Sequence, residues 1–377
     1  MRKMINILIT ALVLLSVSEN VQGQTTYHVN GTTGSDNNGG LTWGEAFATL
    51  THALTVATTG NDVIFVAKGE YAGNYVLKEV DIKIYGSFAG AETSPDQRNF
   101  AVTDSTILNA DGKGRVFSLF GRTNATVIDG FKITGGNTII AGAGIYNEAS
   151  SPILKNLTIS GNMGASGGGM ANRASSAPIL INVTISGNAA NDGGGIHNGA
   201  SSPILINVII SGNTSRYLAS GICNYNSSPV LINVTINNAG IYNEDSNPKL
   251  YNSIVWNCTI RNRLTRITSA LTSAHSLVQG ERVSNANPNG NIRSNRITTA
   301  SIFVAPHIYD YHLNSGSVAI DKGSTDYWDT TTYEQLGGQT LFQFLGGNWD
   351  MITDLSGNPR IVNGAIDLGA FEFQTSQ

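Results

Sequence analysis

The apolar residues of this chain are concentrated in short runs that return with nearly the same neighbours. Residues 192–213 read DGGGIHNGASSPILINVIISGN, with glycines at one end, asparagines at fixed points and β-branched residues in the middle. Similar phrases occupy 142–162, 167–188, 220–238 and 239–257. Because these units combine turn formers with β-branched residues and lack apolar residues at helical spacing, the pattern predicts strands joined by turns.

The period of the repeat predicts a solenoid. A leucine-rich repeat has a compatible length, but its L-x-x-L-x-L spacing and its helical half are missing. A unit of this length suits one coil of a parallel β-helix, in which each short strand pairs with its equivalent in the next coil. The interval is 26, 25, 26 and 19 residues between the successive prolines Pro152, Pro178, Pro203, Pro229 and Pro248.

Superposing the repeats defines columns with different environments. A column occupied only by leucine is predicted to face the interior: Leu154, Leu180, Leu205, Leu231 and Leu250. The flanking columns admit Lys155, Lys249 and Tyr251, so they are predicted to face outward. These columns also contain an outward set that we call the apolar stripe: Ile179, Ile181, Ile204, Ile206, Val230 and Ile232. The stripe is either a contact site, a simple shield for the sheet, or a surface covered by another segment.

Asparagine occupies two further columns, and stacked identical amides can hydrogen-bond along the axis of a solenoid. The first column is Asn147, Asn172, Asn198, Asn224 and Asn243. The second column is Asn156, Asn182, Asn207, Asn233 and Asn252. We therefore predict asparagine ladders at the turns.

The segments outside the regular repeats are predicted to close the cylinder. Residues 63–71, 80–88 and 128–137 resemble less regular coils. Before them, 42–57 has apolar residues near helical spacing, with Thr42 and Glu45 placed as a capping box, so a helix is expected to plug the first coil. The predicted division is a signal peptide (1–23), an N-terminal cap (24–60), coils (61–260, most regular at 142–257), and terminal coils with an Arg-rich segment and an irregular cap (261–377).

The N-terminus has the layout of a secretory signal peptide. Arg2 and Lys3 precede the apolar run MINILITALVLLSV, and Gly23 is a suitable residue before cleavage. The alternative, a membrane anchor, requires a longer apolar run. No later segment is apolar enough for a membrane helix. We therefore expect an exported, extracellular or surface-associated protein, and a monomer. The formal net charge of −4 argues against a nucleic-acid partner.

Only two cysteines, Cys223 and Cys258, are present, so a disulfide framework does not hold the fold. A single bridge between them would require Cα atoms within roughly 7 Å. A bridge and two free thiols both remain open at this point.

Three stretches carry a resemblance to a known group: YHVNGTTGSDNNGGLTWGEAFATLTHAL, YHLNSGSVAIDKGS and DLSGNPRIVNGAIDLGAFEF. Together with the Gly-Asn solenoid, they resemble secreted bacterial right-handed parallel β-helix proteins of the pectin-lyase-like superfamily with a choice-of-anchor C-terminal region. The phrase ISGNAANDGGGI is also similar to the repeat of chlamydial polymorphic outer-membrane proteins. The resemblance implies an all-β, right-handed parallel β-helix and export.

The same resemblance implies that an enzyme of this kind would be a polysaccharide lyase with calcium ligands beside a base, or a hydrolase with clustered aspartates. The acids of the regular coils are Glu148, Asp192, Glu244 and Asp245, and none recurs in a column. His197 falls in an outward column and is expected to be solvated. No catalytic residue, cofactor or metal ligand is therefore assigned, although loop carboxylates of the acidic C-terminal region could bind calcium.

A basic segment supplies the candidate ligand-binding residues Arg261, Arg263 and Arg266. Arginines near a groove could hold an acidic glycan, whereas the alternatives are pairing with the acidic C-terminal region or simple solvation. The sequence favours a non-catalytic surface or extracellular binding protein that contacts polysaccharide or cell-surface components. A polysaccharide lyase or glycoside hydrolase is the second hypothesis.

Overall fold

The chain forms a right-handed parallel β-helix, as the sequence predicts. The structure is a computed structural model, and it describes residues 23–100, 105–263, 270–280, 289–292, 297–333, 336–347, 352–362 and 364–374. The predicted signal peptide lies almost wholly outside the described residues. In each of the three main sheets, neighbouring strands come from neighbouring coils and run parallel.

The largest sheet, which we call the long sheet, runs the length of the solenoid. Its strands are Thr26–Val29, Val63–Ala67, Gly69–Ala72, Lys83–Phe88, Thr106–Asn109, Val127–Thr134, Ile153–Ser160, Ile179–Ser186, Ile204–Ser211, Val230–Ile232, Thr235–Asn237, Lys249–Tyr251, Ile254–Trp256, Thr272–Ala274 and Leu277–Val278. The first of these strands lies in the predicted N-terminal cap and pairs in parallel with Val63–Ala67.

Two further parallel sheets complete the wall. The second sheet contains Tyr75–Leu77, Phe117–Phe120, Ile145–Glu148, Met170–Arg173, Ile196–Gly199, Ile222–Tyr225, Ile241–Glu244 and Ile260–Arg263. The short sheet contains Met163–Ser166, Ala189–Asp192 and Thr214–Leu218. The interval between Pro229 and Pro248 is only 19 residues because the described coils after Thr214–Leu218 contribute no strand to the short sheet.

The C-terminal region, defined here as the described residues from 297 to 374, is irregular. It contains two antiparallel pairs: Phe303–Ala305 with Asp310–Leu313, and Thr332–Tyr333 with Gln339–Thr340. Its helices are Thr299–Ile302, Asp326–Asp329 and Leu341–Phe344, and a 3-10 turn spans Pro306–Ile308. Another 3-10 turn, Pro95–Gln97, lies in a loop of the early coils.

The leucine column is interior, and its members pair directly along the long sheet. Each of the five side chains is at most 1% exposed. Asn156 explains how Leu154 and Leu157, which would lie on opposite faces of a straight strand, both reach the core. Its φ of 52° is left-handed, and the resulting bend turns the second half of the strand inward. Asparagine is one of the few residues other than glycine that tolerates this conformation.

The first asparagine column forms a buried ladder, which confirms the prediction. Each side-chain amide donates to the carboxamide oxygen of the next coil at 2.8 or 2.9 Å, from Asn147 through to Asn262. The second column lies at the left-handed bends, with longer contacts of 3.1–3.5 Å within it. A third ladder, through Asn162, Asn188 and Asn213, has links of 3.0 Å.

The N-terminal cap is present, but the single helix expected over 42–57 is wrong. The segment contains a 3-10 turn, Trp43–Glu45, capped by Thr42, and a helix, Leu50–Val56, capped by Thr49. Between them, Phe47 bridges to Val29 as an extended residue. The buried Phe47 side chain can join the core only if the chain is extended at that point, so tertiary packing divides the helix.

The apolar stripe is covered by the C-terminal region, which was one of the three alternatives. Trp328, Tyr333, Leu341 and Ile352 are buried against it, and Trp328 is fully shielded from solvent. The Trp328 indole donates to Asn233 at 3.0 Å. The C-terminal region therefore packs along the side of the cylinder, where it removes a large apolar surface from water.

Both cysteines are free thiols. Cys223 follows the core residue Ile222 on its strand and so faces outward, whereas Cys258 packs against the interior core. The two side chains lie on opposite sides of the wall, which explains why they do not form a bridge.

Candidate functional site

A cleft of about 760 Å³ lies between the long sheet and the C-terminal region. We call it the sheet cleft. Outward residues of successive coils form its floor, among them Lys132, Lys155 and Thr184. Phe100 contributes from the loop that follows the early coils, and Ser356 contributes from the C-terminal region. Ile181 and Ile206 of the apolar stripe also line the cleft, where the long sheet meets the C-terminal region.

The charge of the sheet cleft is positive among its described lining residues. Lys132 and Lys155 are the charged residues there, and no carboxylate lines the cleft in the part of the chain that the structure describes. Asp129 lies beside Lys155 in the sheet register, but its side chain is only 4% exposed. Its carboxylate accepts hydrogen bonds from Arg98 at 2.9 Å and from Asn156 at 2.7 Å. The Asp129 charge is thus neutralised by Arg98, and the lysine charges are left facing the cleft.

The remaining surface of the cleft is suited to a polar ligand with an apolar face. Phe100 is 52% exposed, and the Arg98 guanidinium lies 4.9 Å from the centre of its ring. Thr158 and Thr184 pair in register on adjacent coils and present a row of hydroxyl groups. An aromatic face beside rows of hydroxyl and amide groups is typical of sites where a few polar contacts orient a ligand.

The predicted ligand-binding arginines lie on the second sheet, away from the sheet cleft. Arg261 pairs in register with Tyr242 and lines a shallow depression of about 290 Å³ that also includes Tyr217. Arg263 lies 3.4 Å from the Glu244 carboxylate. Arg266 falls outside the described residues. Ligand binding by these arginines remains a prediction.

His197 is buried, so the expectation of a solvated histidine is wrong. Its side chain faces outward from the wall, but Tyr225 of the next coil packs on it, with ring centres 5.5 Å apart. Only 7% of the residue is exposed, and burial lowers the pKa of His197 to about 4. The nearby Arg173 charge is the second contribution to this lowered pKa, after burial.

No group of three histidine, cysteine or acidic side chains with metal-binding geometry occurs among the residues that the structure describes. Several C-terminal acids serve other purposes. Asp354 caps a turn by accepting hydrogen bonds from the amides of Ser356 and Asn358. Asp367 and Glu372 are buried beside Arg360.

No described helix is long and apolar enough to cross a membrane.

Sequence reasoning missed Phe100, Lys132, Lys155 and Ser356 as a group. They come from separate parts of the chain and occupy no shared column of the repeat, so no spacing connects them. The one available signal was the presence of Lys155 in a column otherwise rich in isoleucine, which correctly indicated an outward side chain.

The comparisons with known proteins yield no family model that matches the chain, and no curated protein matches either. Among solved structures, pectate lyase Pel9A is 10% identical, with a TM-score of 0.47 over 93% of this chain and 97% of that chain. The pectin methylesterase from Aspergillus niger is 12% identical (TM-score 0.38, 71% and 89% covered). A rhamnogalacturonan lyase is 12% identical (TM-score 0.29, 76% and 98% covered). The fold assignment stands on strand order and register, and these likenesses add no activity to it.

Proposed function

We propose that the protein binds an anionic polysaccharide along the sheet cleft and does not cleave its glycosidic bonds. The observation that carries this proposal is the pair Lys132 and Lys155 in a cleft whose described lining contains no carboxylate. Lys132 pairs in register with Thr158, three positions along the strand from Lys155. The two cations on adjacent coils are therefore offset by roughly 10 Å, so a repeating anion can pair with both through separate charged groups. The Phe100 ring and the threonine hydroxyls add apolar and polar contacts.

The proposal includes export from the cell, where polysaccharides of this kind are accessible, and a monomeric state. The predicted signal peptide supports export, and the coverage of the apolar stripe by the C-terminal region of the same chain supports a monomer. A large apolar patch that is already buried does not need a second protein to shield it.

The competing function, a lyase or hydrolase, needs additional groups in the cleft. Hydrolysis of a glycosidic bond generally uses two carboxyl groups on either side of the bond. Lyase chemistry needs a base together with a group that neutralises the substrate carboxylate. The described lining residues supply neither the carboxyl pair for hydrolysis nor a carboxylate that could hold a calcium ion beside a base, which favours binding.

The test compares binding of polygalacturonate with binding of a neutral glucan by isothermal titration calorimetry. We expect measurable binding of the anion only, weakened by added salt because the contacts are electrostatic. The double variant Lys132→Gln, Lys155→Gln should bind at least about tenfold more weakly, since each exposed charge contributes on the order of 1 kcal/mol. Lys249→Gln, an exposed lysine of the same sheet outside the cleft, is the matched control and should bind normally.

Two results would contradict the proposal. Unchanged affinity in the double variant would remove the sheet cleft from the binding function. Appearance of unsaturated products or new reducing ends at enzymatic rates, with or without added calcium, would replace a binding protein with a lyase or a hydrolase.

A further inference from the structure

Ser356, at the edge of the sheet cleft, belongs to a hydrogen-bonded chain of three side chains. Its hydroxyl lies 2.9 Å from Nε2 of His312. Nδ1 of the same imidazole lies 2.6 Å from Oδ1 of Asp310. An acid, an imidazole and a hydroxyl in this order form the arrangement that activates serine nucleophiles on unrelated folds, where it is recognised by geometry and not by sequence position.

The fold fixes the acid and the base relative to each other. Asp310 and His312 are two residues apart on the strand Asp310–Leu313, so their side chains lie on the same face. The Asp310 carboxylate also accepts the backbone N–H of His312 at 3.1 Å. The imidazole stacks on Phe371, with ring centres 4.0 Å apart and planes at 23°. Partial burial raises the pKa of Asp310, but hydrogen bonds from His312 outweigh this and hold it below its usual value, so the carboxylate is ionised.

A tight turn presents the serine. The buried Asp354 carboxylate accepts the N–H groups of Ser356 at 2.9 Å and of Asn358 at 2.8 Å. Gly357 lies between them with a φ of 84°, a left-handed conformation that glycine adopts without strain. The Ser356 side chain is consequently held at the surface, where it lines the sheet cleft and contacts His312.

We propose that Ser356 is the nucleophile of an esterase site, with His312 as general base and Asp310 as the residue that orients the imidazole. The substrate class is a carboxylic ester carried by the polysaccharide bound in the sheet cleft; this last part rests on the proposed function. The backbone oxygen of Thr353, three residues before Ser356, accepts a hydrogen bond from the Asn207 side chain. Asn207 lies two coils beyond Asn156, which is the residue next to Lys155. Two coil rises amount to roughly 10 Å, a distance that a polysaccharide anchored at Lys155 can cover.

The reaction proceeds in two steps. In the first, the Ser356 oxygen attacks the ester carbon, its proton moves to Nε2 of His312, and the bond to the alcohol breaks as the alcohol takes that proton. In the second, water attacks the acyl-serine, His312 accepts a proton from the water and returns it to the serine oxygen, and the carboxylic acid leaves. The released polysaccharide hydroxyl and the acid account for all atoms of ester and water.

The turn also limits the expected rate. The amides of Ser356 and Asn358 donate to the Asp354 side chain, and the amide of Gly357 donates to the Asp354 carbonyl oxygen at 3.1 Å. None of these three amides is directed at an oxyanion, and one missing oxyanion donor costs roughly 10²–10³-fold in rate. General-base assistance contributes roughly 10²–10⁴-fold. We therefore expect slow but measurable turnover of an activated ester.

The test measures hydrolysis of p-nitrophenyl acetate by the full chain. Ser356→Ala and His312→Gln should reduce the rate to that of buffer, and Asp310→Asn should reduce kcat and alter its pH profile. Ser315→Ala, an exposed serine of the same region outside the triad, should leave the rate unchanged. Wild-type protein treated with a fluorophosphonate should carry the adduct on the peptide containing Ser356, and the far-UV circular dichroism of each variant checks that it folds.

Hydrolysis that persists in Ser356→Ala, or wild-type hydrolysis equal to buffer, would overturn the esterase site. Release of acetate from O-acetylated polygalacturonate tests the substrate class, and its absence alongside p-nitrophenyl acetate turnover would overturn the polysaccharide ester. p-Nitrophenyl acetate carries no negative charge, and its hydrolysis does not require a polysaccharide to bind in the sheet cleft. A failure of polygalacturonate binding is therefore distinguishable from a failure of the esterase site.

Discussion

The side-chain amide of Asn172 donates a hydrogen bond to Asn198 at 2.8 Å, and both residues are buried on adjacent strands of the second sheet. Asn172 also accepts from Asn147 at 2.8 Å. Each amide of the ladder is thus donor to one coil and acceptor from another. This relationship links coil register to stability, because a slipped coil would leave buried amides without partners.

Replacing Asn172 by alanine should destabilise the solenoid. The change leaves the Asn147 amide without its acceptor and the Asn198 oxygen without its donor, and each buried unsatisfied group costs about 1–3 kcal/mol. We expect a loss of about 2–5 kcal/mol in the free energy of unfolding, measured in urea. Asn37→Ala, in an exposed position, should change it by less than about 0.5 kcal/mol. Equal stability of the two variants would refute a structural role for the ladder.

Replacing Asn182 by glycine should destabilise the protein less than replacing it by valine. Its φ of 55° is left-handed, which a β-branched residue adopts only with strain of about 1–3 kcal/mol. Both variants lose the same side-chain hydrogen bonds to Asn156 and Asn207, so the difference between them excludes the ladder and includes the backbone strain. Thermal unfolding of both variants should place the midpoint of Asn182→Gly above that of Asn182→Val. The reverse order would show that the bend at this position is not required.

Trp328→Ala should release the C-terminal region from the apolar stripe. The indole is fully buried and donates to Asn233, so its removal should cost about 3–5 kcal/mol. We expect faster proteolysis within the C-terminal region and increased binding of a hydrophobic dye to the exposed stripe. Val304→Ala, which truncates a side chain that is 56% exposed, serves as the control. Unaltered proteolysis of Trp328→Ala would contradict the docking of this region on the stripe.

His197 should make stability depend on pH in the acidic range. Burial lowers its pKa from the usual 6.5 to about 4, so between these values the unfolded chain binds a proton that the folded chain does not. Stability is therefore complete above pH 6.5 and falls as the pH decreases toward 4, by up to about 3 kcal/mol.

The measurement is the unfolding free energy of wild type and His197→Gln at intervals from pH 7 to pH 4. The variant should show a smaller loss over this interval, and His307→Gln, an exposed histidine, should match the wild type. Parallel curves for wild type and His197→Gln would show that His197 titrates normally in the folded chain.

Local pattern was sufficient for the coils because each coil repeats the same environment. The leucine column and the Asn147 to Asn243 ladder were predictable, since identical residues at a fixed period must stack if the coils are in register. The division of the predicted 42–57 helix was not predictable, because it depends on Phe47 meeting Val29. The burial of His197 was missed for a similar reason. The alternation of inward and outward columns predicts which side of the wall the His197 side chain faces, but it does not predict that Tyr225 covers that side chain.

The period and the inward and outward columns were readable from the amino-acid pattern alone, because they follow from contacts between equivalent positions of neighbouring repeats. The presence of an N-terminal cap was readable from the apolar spacing and capping residues of 42–57. The segment that covers the apolar stripe and the residues that line the sheet cleft depend instead on long-range packing. Ser356, His312 and Lys155 are far apart along the chain and share no periodicity. Their proximity arises from the packing of the C-terminal region against the side of the solenoid, and no local pattern encodes that placement.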